Sequence, residues 1–204
     1  MKAVIFDFDG TLIKSEQEWD KYLWPLSQKA FPSITWDQFV SFTGSTTQQG
    51  YLHLSGMYEP KLTFQEFAQE VQKFIPDLYK SAPLNEGVFA LLEDLQANKI
   101  PLAIATSSER KWIEPSLRSH NIEQFFSAIV TLDDVEHAKP APDPYLLAAE
   151  KLGIDPTHCI AIEDSVHGVA SAKAAGMYSI GFTYKGNSQN LQEAHHTITR
   201  FDEL

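Results

Sequence analysis

The chain has 204 residues and a formal net charge of −11. That length can bury a substantial core, as one large domain or as a core with a smaller companion. Apolar residues at 43% and aromatic residues at 12% exclude disorder. The acidic balance argues against a nucleic-acid partner, and the absence of a long apolar run argues against a membrane-spanning segment.

The first element is the apolar run Val4-Ile5-Phe6, followed by Asp7-Phe8-Asp9-Gly10-Thr11. Its short, continuous, partly β-branched character predicts a buried parallel strand. Gly10 allows a tight turn after it. Asp7 and Asp9 therefore fall at the carboxyl end of a strand, where open α/β sheets bind ligands. Two carboxylates so close repel each other unless a proton or a cation intervenes, and a hard divalent ion, Mg²⁺, is the economical partner. Met1-Lys2 leads directly into this strand without a secretory leader, which predicts a cytoplasmic protein.

From Ser15 to about Lys80 the signals are helical. Ser15 to Glu18, Thr35 to Gln38 and Thr63 to Glu66 each fit a capping box. Pro25 is expected to kink or shorten the first of these helices, and Pro76 to stop the last. Phe64, Phe67, Val71, Phe74 and Ile75 line one face of that last helix. Three or four helices placed here predict a separate helical cap over residues 15–80, with a core domain formed by 1–14 and 81–204. The aromatic residues of the cap read mainly as its own core.

A helix beginning near Val88 returns to the core domain, and Pro101 to Ala105 is a second strand. Thr106-Ser107-Ser108 follow at its carboxyl end. There, hydroxyls and a helix N-terminus suit a phosphate, with Ser107 or Ser108 as the helix cap. Ala128 to Thr131 is a third strand. Lys139 then precedes Pro140-Ala141-Pro142-Asp143-Pro144, a segment too proline-rich for regular structure, which holds the ammonium in place. A helix from Asp143-Pro144 ends near Gly153. The fourth strand, His158 to Ile162, ends in Glu163-Asp164-Ser165, and Ser165 or Asp164 caps the next helix, which closes at Gly176. Met177 to Phe182 is a fifth strand, and Thr197-Ile198 a short last one. Cys159, the single cysteine, excludes an internal disulfide and reads as a buried thiol; the adjacent His195 and His196 diverge and read as surface residues.

Four strand ends thus carry Asp7 with Asp9, then Thr106, then Lys139, then Glu163 with Asp164. The set fits phosphoryl transfer: carboxylates for Mg²⁺, a hydroxyl and an ammonium for phosphoryl oxygens. The order and spacing resemble the four signatures of the haloacid dehalogenase superfamily, and the helical insert resembles its first cap class. That class includes sugar-phosphate phosphatases, phosphoglycolate phosphatase and β-phosphoglucomutase. The resemblance implies an α/β fold, a doubly wound parallel sheet with an inserted helical cap. It implies Asp7 as nucleophile and Asp9 as general acid and base. Mg²⁺ would lie on the Asp7 carboxylate, the Asp9 carbonyl and Asp164, with Glu163 as a further ligand, direct or through water. Thr106 and Lys139 would hold the phosphoryl group, with Gly10 and Ser107 also against the substrate. Trp19, read from its own side chain, offers a flat apolar face that suits either a sugar ring of the substrate or the cap core. The implied partner is a small phosphorylated metabolite, met by a monomer.

Two departures lie in the hinges: Lys14 where many relatives carry an acid, and Asn85-Glu86-Gly87 where many carry Pro-Gly. Asp9 argues against a dehalogenase. Against a phosphoglucomutase, Trp19 stands where those relatives have a histidine, and no arginine occurs between Lys14 and Glu70. The expectation is hydrolysis of a sugar, polyol or glycolate phosphate, with an isomerase of the phosphoglucomutase type as the alternative.

Overall fold

The computed structural model describes residues 2–40, 47–187 and 189–204. Six strands, β1 (Ala3–Phe6), β2 (Leu102–Ala105), β3 (Ala128–Val130), β4 (Cys159–Glu163), β5 (Tyr178–Phe182) and β6 (His196–Ile198), form one parallel sheet in the order β3-β2-β1-β4-β5-β6. The chain runs outward from β1 in one direction and then, from β4, in the other. The order reverses between β1 and β4, and in such sheets the ligand crevice opens at that switch, beyond the carboxyl ends.

Alternation along the strands divides their side chains between two faces. Ala3, Ile5, Ala103, Ala105, Ala128, Val130, Cys159 and Ala161 form one buried cluster with Tyr145, Ala148 and Ala149 of α7 (Asp143–Leu152) and Ala172 of α8 (Val166–Ala174). Small side chains on the sheet let these helices approach closely. Val4, Phe6, Leu102, Ile104 and Ile162 alternate with that set and are buried as well. The remaining described α-helices of this unit are α5 (Val88–Ala97) and α6 (Arg110–Ser119), alongside short 3-10 turns.

The chain divides into two compact units, Met1–Lys14 with Pro83–Leu204, and Ser15–Ala82. The second unit is helical: α1 (Ser15–Ala30), α2 (Trp36–Val40), α3 (Thr47–Met57) and α4 (Phe64–Ser81). It has its own aromatic core, in which the Tyr51 ring lies 5.3–5.5 Å from those of Phe31, Phe64 and Phe67. Thr35 with Gln38, and Thr63 with Glu66, close the expected capping boxes.

Pro25 does not shorten α1, and Pro76 does not stop α4. α1 continues past Pro25 to Ala30, and α4 past Pro76 to Ser81. Both prolines are exposed, as are Lys21 and Gln72, the residues four before them whose carbonyls lose a helical donor. Water can satisfy those carbonyls. In α4 the buried Phe67, Val71, Ile75, Leu78 and Tyr79 contribute about 1.5–3 kcal/mol each, which outweighs a proline cost of about 3 kcal/mol. Among the described residues no helix is long and apolar enough to cross a membrane.

Candidate active site at the sheet switch point

Asp7 directly follows β1 and Glu163 ends β4, the two strands that flank the switch. The Asp7 N–H donates to the Ile162 carbonyl at 2.9 Å, which sets the two acids side by side. Strand alternation continues the row Ala3, Ile5, Asp7 and the row Cys159, Ala161, Glu163 toward α7. Tyr145, in the first turn of α7, meets them there, and Lys139 reaches in from the loop before that helix. The Lys139 ammonium donates to Asp7 Oδ1 at 2.6 Å and to Glu163 Oε1 at 2.5 Å. The Tyr145 hydroxyl donates to the same Glu163 oxygen at 2.9 Å, and the Lys139 ammonium lies 5.0 Å from the Tyr145 ring centre. Glu163 Oε2 accepts from the Ser165 N–H at 3.3 Å and the Ser165 hydroxyl at 3.0 Å. Glu163 is fully buried, and Gly168 leaves the space its carboxylate occupies: a Cβ there would lie 1.8 Å from Glu163 Cδ. Ser165 also caps α8, accepting from the Gly168 N–H at 3.0 Å.

Asp164 is held from three sides. Thr11 Oγ1 donates to Oδ1 at 3.5 Å, Tyr184 to Oδ2 at 3.3 Å, and the Asn187 amide to its backbone carbonyl at 2.9 Å. Gly10, at φ +76°, lies under the Asp164 carboxylate, where an added Cβ would stand 1.9 Å from Oδ2.

The electrostatics follow from burial. Burial pushes the Asp7 carboxyl up to about 8; Lys139 opposes the rise, while Glu163 and Asp9 add to it. Burial by itself would lower the Lys139 ammonium, but Asp7 and Glu163 outweigh it and hold the pKa above the ordinary lysine value. Burial beside Glu163 raises the Tyr145 phenol well above its usual value. Asp7, Glu163 and Asp164 each present a carboxylate oxygen within 4.8 Å of the others. One lysine offsets one of three potential charges, so this hard-oxygen set fits a divalent cation such as Mg²⁺.

Asp9 does not join that cluster. Its Oδ2 accepts a 2.6 Å hydrogen bond from the Ser108 hydroxyl. Ser108 therefore is not the cap the sequence predicts, and neither is Ser107, which is exposed. Helix α6 begins at Arg110, and the Arg110 N–H is taken by the Asp133 carboxylate at 2.9 Å. An acid from the β3 side serves the helix end, leaving Ser108 for Asp9. Thr106 is buried at the end of β2, its hydroxyl accepting from the Ser108 N–H at 3.1 Å.

A family model described as haloacid dehalogenase-like hydrolase matches residues 4–182. The chain belongs to that family. Among its curated relatives is validoxylamine A 7'-phosphate phosphatase of Streptomyces hygroscopicus subsp. limoneus, 31% identical over 95% of this chain and 91% of the relative. Fructose-1-phosphate phosphatase YqaB of Escherichia coli is 29% identical over 87% of this chain and 94% of the relative. The fold is shared with a solved β-phosphoglucomutase of Clostridium difficile, at 23% identity and TM-score 0.80 over 100% of this chain and 93% of that one.

Within this hydrolase, the sheet edge brings together Asp7, Asp9, Gly10, Thr106, Lys139, Glu163 and Asp164. Trp19 lies in the helical unit, with its ring edge-on to Phe74 at 5.6 Å. Sequence reasoning missed Ser108 as a partner of Asp9, and also Tyr145, Tyr184, Asn187 and Asn85. For Ser108 a signal existed, a third hydroxyl after β2 beyond what one cap needs. For Tyr145 the signal was its place in the first turn after the proline segment. Cys159 is a buried thiol as expected, its pKa raised by burial. His195 is exposed and stacks on Tyr178 at 4.8 Å.

Proposed function

We propose that this hydrolase is a Mg²⁺-dependent phosphatase of small phosphomonoesters, of the sugar, polyol or glycolate phosphate class, working through an aspartyl-phosphate on Asp7. The observation that carries the reading is the buried Asp7–Lys139–Glu163 pairing beside Asp164, at the crevice between β1 and β4. The phosphatases among its relatives support it.

Asp7 attacks phosphorus, and Lys139 offsets the repulsion between that carboxylate and the phosphate. Asp9 protonates the departing alkoxide and then takes a proton from the water that hydrolyses the intermediate. Ser108 keeps Asp9 oriented meanwhile. Thr106, Ser107 and Gly10 meet the phosphoryl oxygens, and Trp19 offers an apolar face to the organic group. Asp7 and Asp164 would hold Mg²⁺ through their carboxylates, together with the Asp9 carbonyl. Glu163 spends its oxygens on Lys139, Tyr145 and Ser165, so its part is to fix the lysine beside the ion rather than to bind it directly. The ion supplies charge neutralisation at the phosphoryl oxygens.

The test is a panel of hexose, pentose, polyol and glycolate phosphates with Mg²⁺, scored by phosphate release. A separate incubation uses β-glucose 1-phosphate with catalytic glucose 1,6-bisphosphate. Release from at least one ester class, abolished by chelation, is expected. Glucose 6-phosphate forming faster than phosphate is released would establish the mutase reading instead.

A further inference from the structure

We propose that Asn85 is a positioning residue for general acid–base catalysis, holding the turn that carries Asp9. The proposal rests on the phosphatase reading above. Asn85 is 6% exposed, and its side-chain amide donates to two successive carbonyls, Gly10 at 2.7 Å and Thr11 at 2.8 Å. Its backbone N–H donates to the next carbonyl, Leu12, at 2.9 Å. Three consecutive carbonyls of the turn after Asp9 thus end on one residue more than seventy positions away in the chain. Neighbouring contacts fix the register: Ile13 bridges Leu84 in antiparallel fashion, and the Lys14 N–H donates to Pro83 at 2.8 Å.

This clamp bears on chemistry because of what faces the same turn. Gly10 lies under the Asp164 carboxylate, and Thr11 donates to that carboxylate, so residues 10 and 11 are held between Asn85 and Asp164. Gly10 stands at φ +76°, which strains any residue with a side chain, and a Cβ there would collide with Asp164. The Leu12 and Ile13 N–H groups close the turn on the Phe8 carbonyl, at 2.9 and 3.1 Å, and Asn85 holds the carbonyls on its outer side. An amide carries two donors and can satisfy two carbonyls at once; a carboxylate of the same shape has no donor and would repel both. Asp9 directly precedes Gly10, so a tilt of the Gly10–Thr11 segment moves the acid whose Oδ2 must stay on Ser108 and in reach of the leaving oxygen.

The experiment compares kcat/KM for the best alkyl phosphate of the panel with that for p-nitrophenyl phosphate, in wild type and in Asn85→Ala and Asn85→Asp. A nitrophenolate leaves without a proton, whereas an alkoxide needs one from Asp9. General acid catalysis is worth roughly 10²- to 10⁴-fold, so a misplaced Asp9 forfeits on the order of tenfold or more on the alkyl ester and about threefold or less on the aryl ester. Both variants should show this split, and Asn85→Asp should be at least as impaired, because donors rather than volume are lost. If Asn85→Ala does not fold, Asn85→Ser, which keeps one donor, must show a smaller split of the same sense. Equal losses on both esters, or none, would overturn the positioning role while leaving the phosphatase reading intact. A wild type inactive on every ester would overturn that reading and this inference with it.

Discussion

Replacing Gly168 by alanine sets helix propensity against packing. Gly168 is the third residue of α8, where alanine is favoured over glycine by about 1 kcal/mol. The new Cβ would lie 1.8 Å from Glu163 Cδ and Oε1 and 2.0 Å from Oε2. Carbon contacts need about 3.5–4.0 Å, so the carboxylate must retreat by roughly 1.5–2 Å. Its bonds to Lys139, Tyr145 and Ser165 span 2.5–3.3 Å, and a retreat of that size breaks several of them. Breaking a buried ion pair costs about 3–5 kcal/mol; less the propensity gain, a net loss of about 2–4 kcal/mol remains. For a chain this long that lowers the melting temperature by roughly 5–15 °C. Gly56→Ala in α3 is the control, since nothing lies within 4 Å of its Cβ position. It should stabilise its helix by about 0.5–1 kcal/mol. Scanning calorimetry of both variants, beside phosphatase activity, decides the matter. Gly168→Ala melting at or above wild type, with activity retained, would refute the claim that Glu163 is fixed in this slot.

Asp7→Asn should lower turnover by on the order of 10³ or more, while the melting temperature holds or rises because burial already disfavours the Asp7 charge; activity near wild type would remove Asp7 as nucleophile. Mg²⁺ must displace the proton that Asp7 retains below about 8. Apparent Mg²⁺ affinity should therefore climb by up to about tenfold per pH unit toward that value and level off above it. Titration calorimetry in buffers of different ionisation enthalpy should show proton release at pH 6, and equal affinity at pH 6 and 8 would contradict it. Tyr145→Phe removes one donor from a buried carboxylate and should cost about 1–3 kcal/mol, read as a lower melting temperature, with no loss expected if Glu163 were solvated.

The fold was legible because β1, β2 and β4 are short apolar runs that end at chemistry-bearing residues, and because Gly153 and Gly176 mark helix ends by adopting positive φ. The candidate acids were legible for the same reason: β1 stops just before Asp7, and β4 ends on Glu163. Neither proline ends its helix, because the cost of a helical proline depends on which helix face it occupies. Pro25 and Pro76 sit on solvated faces, a property of tertiary packing rather than of local pattern. Ser108 misled because the N–H group it was expected to cap is met by Asp133, twenty-three residues away from Arg110 in the chain.

The residues that escaped sequence reasoning share one cause. Each acts across long sequence separation on a group already recognised: Ser108 on Asp9, Tyr145 on Glu163, Tyr184 on Asp164. A strand's period of two fixes which side Asp7 and Glu163 take. It says nothing of what comes to meet them until the strand order is known. Once β1 lies beside β4, the rows ending in Asp7 and Glu163 both face α7. A lysine from the loop before that helix can then reach both acids. Three ionisable groups and a phenol buried together cost free energy unless each satisfies the others. The pairings achieve that through one oxygen of Glu163 shared by Lys139 and Tyr145. The same sharing suits Glu163 to holding the lysine. That division of labour between two adjacent acids, Glu163 inward and Asp164 toward the Asp9 turn, follows from their consecutive positions at the end of one strand.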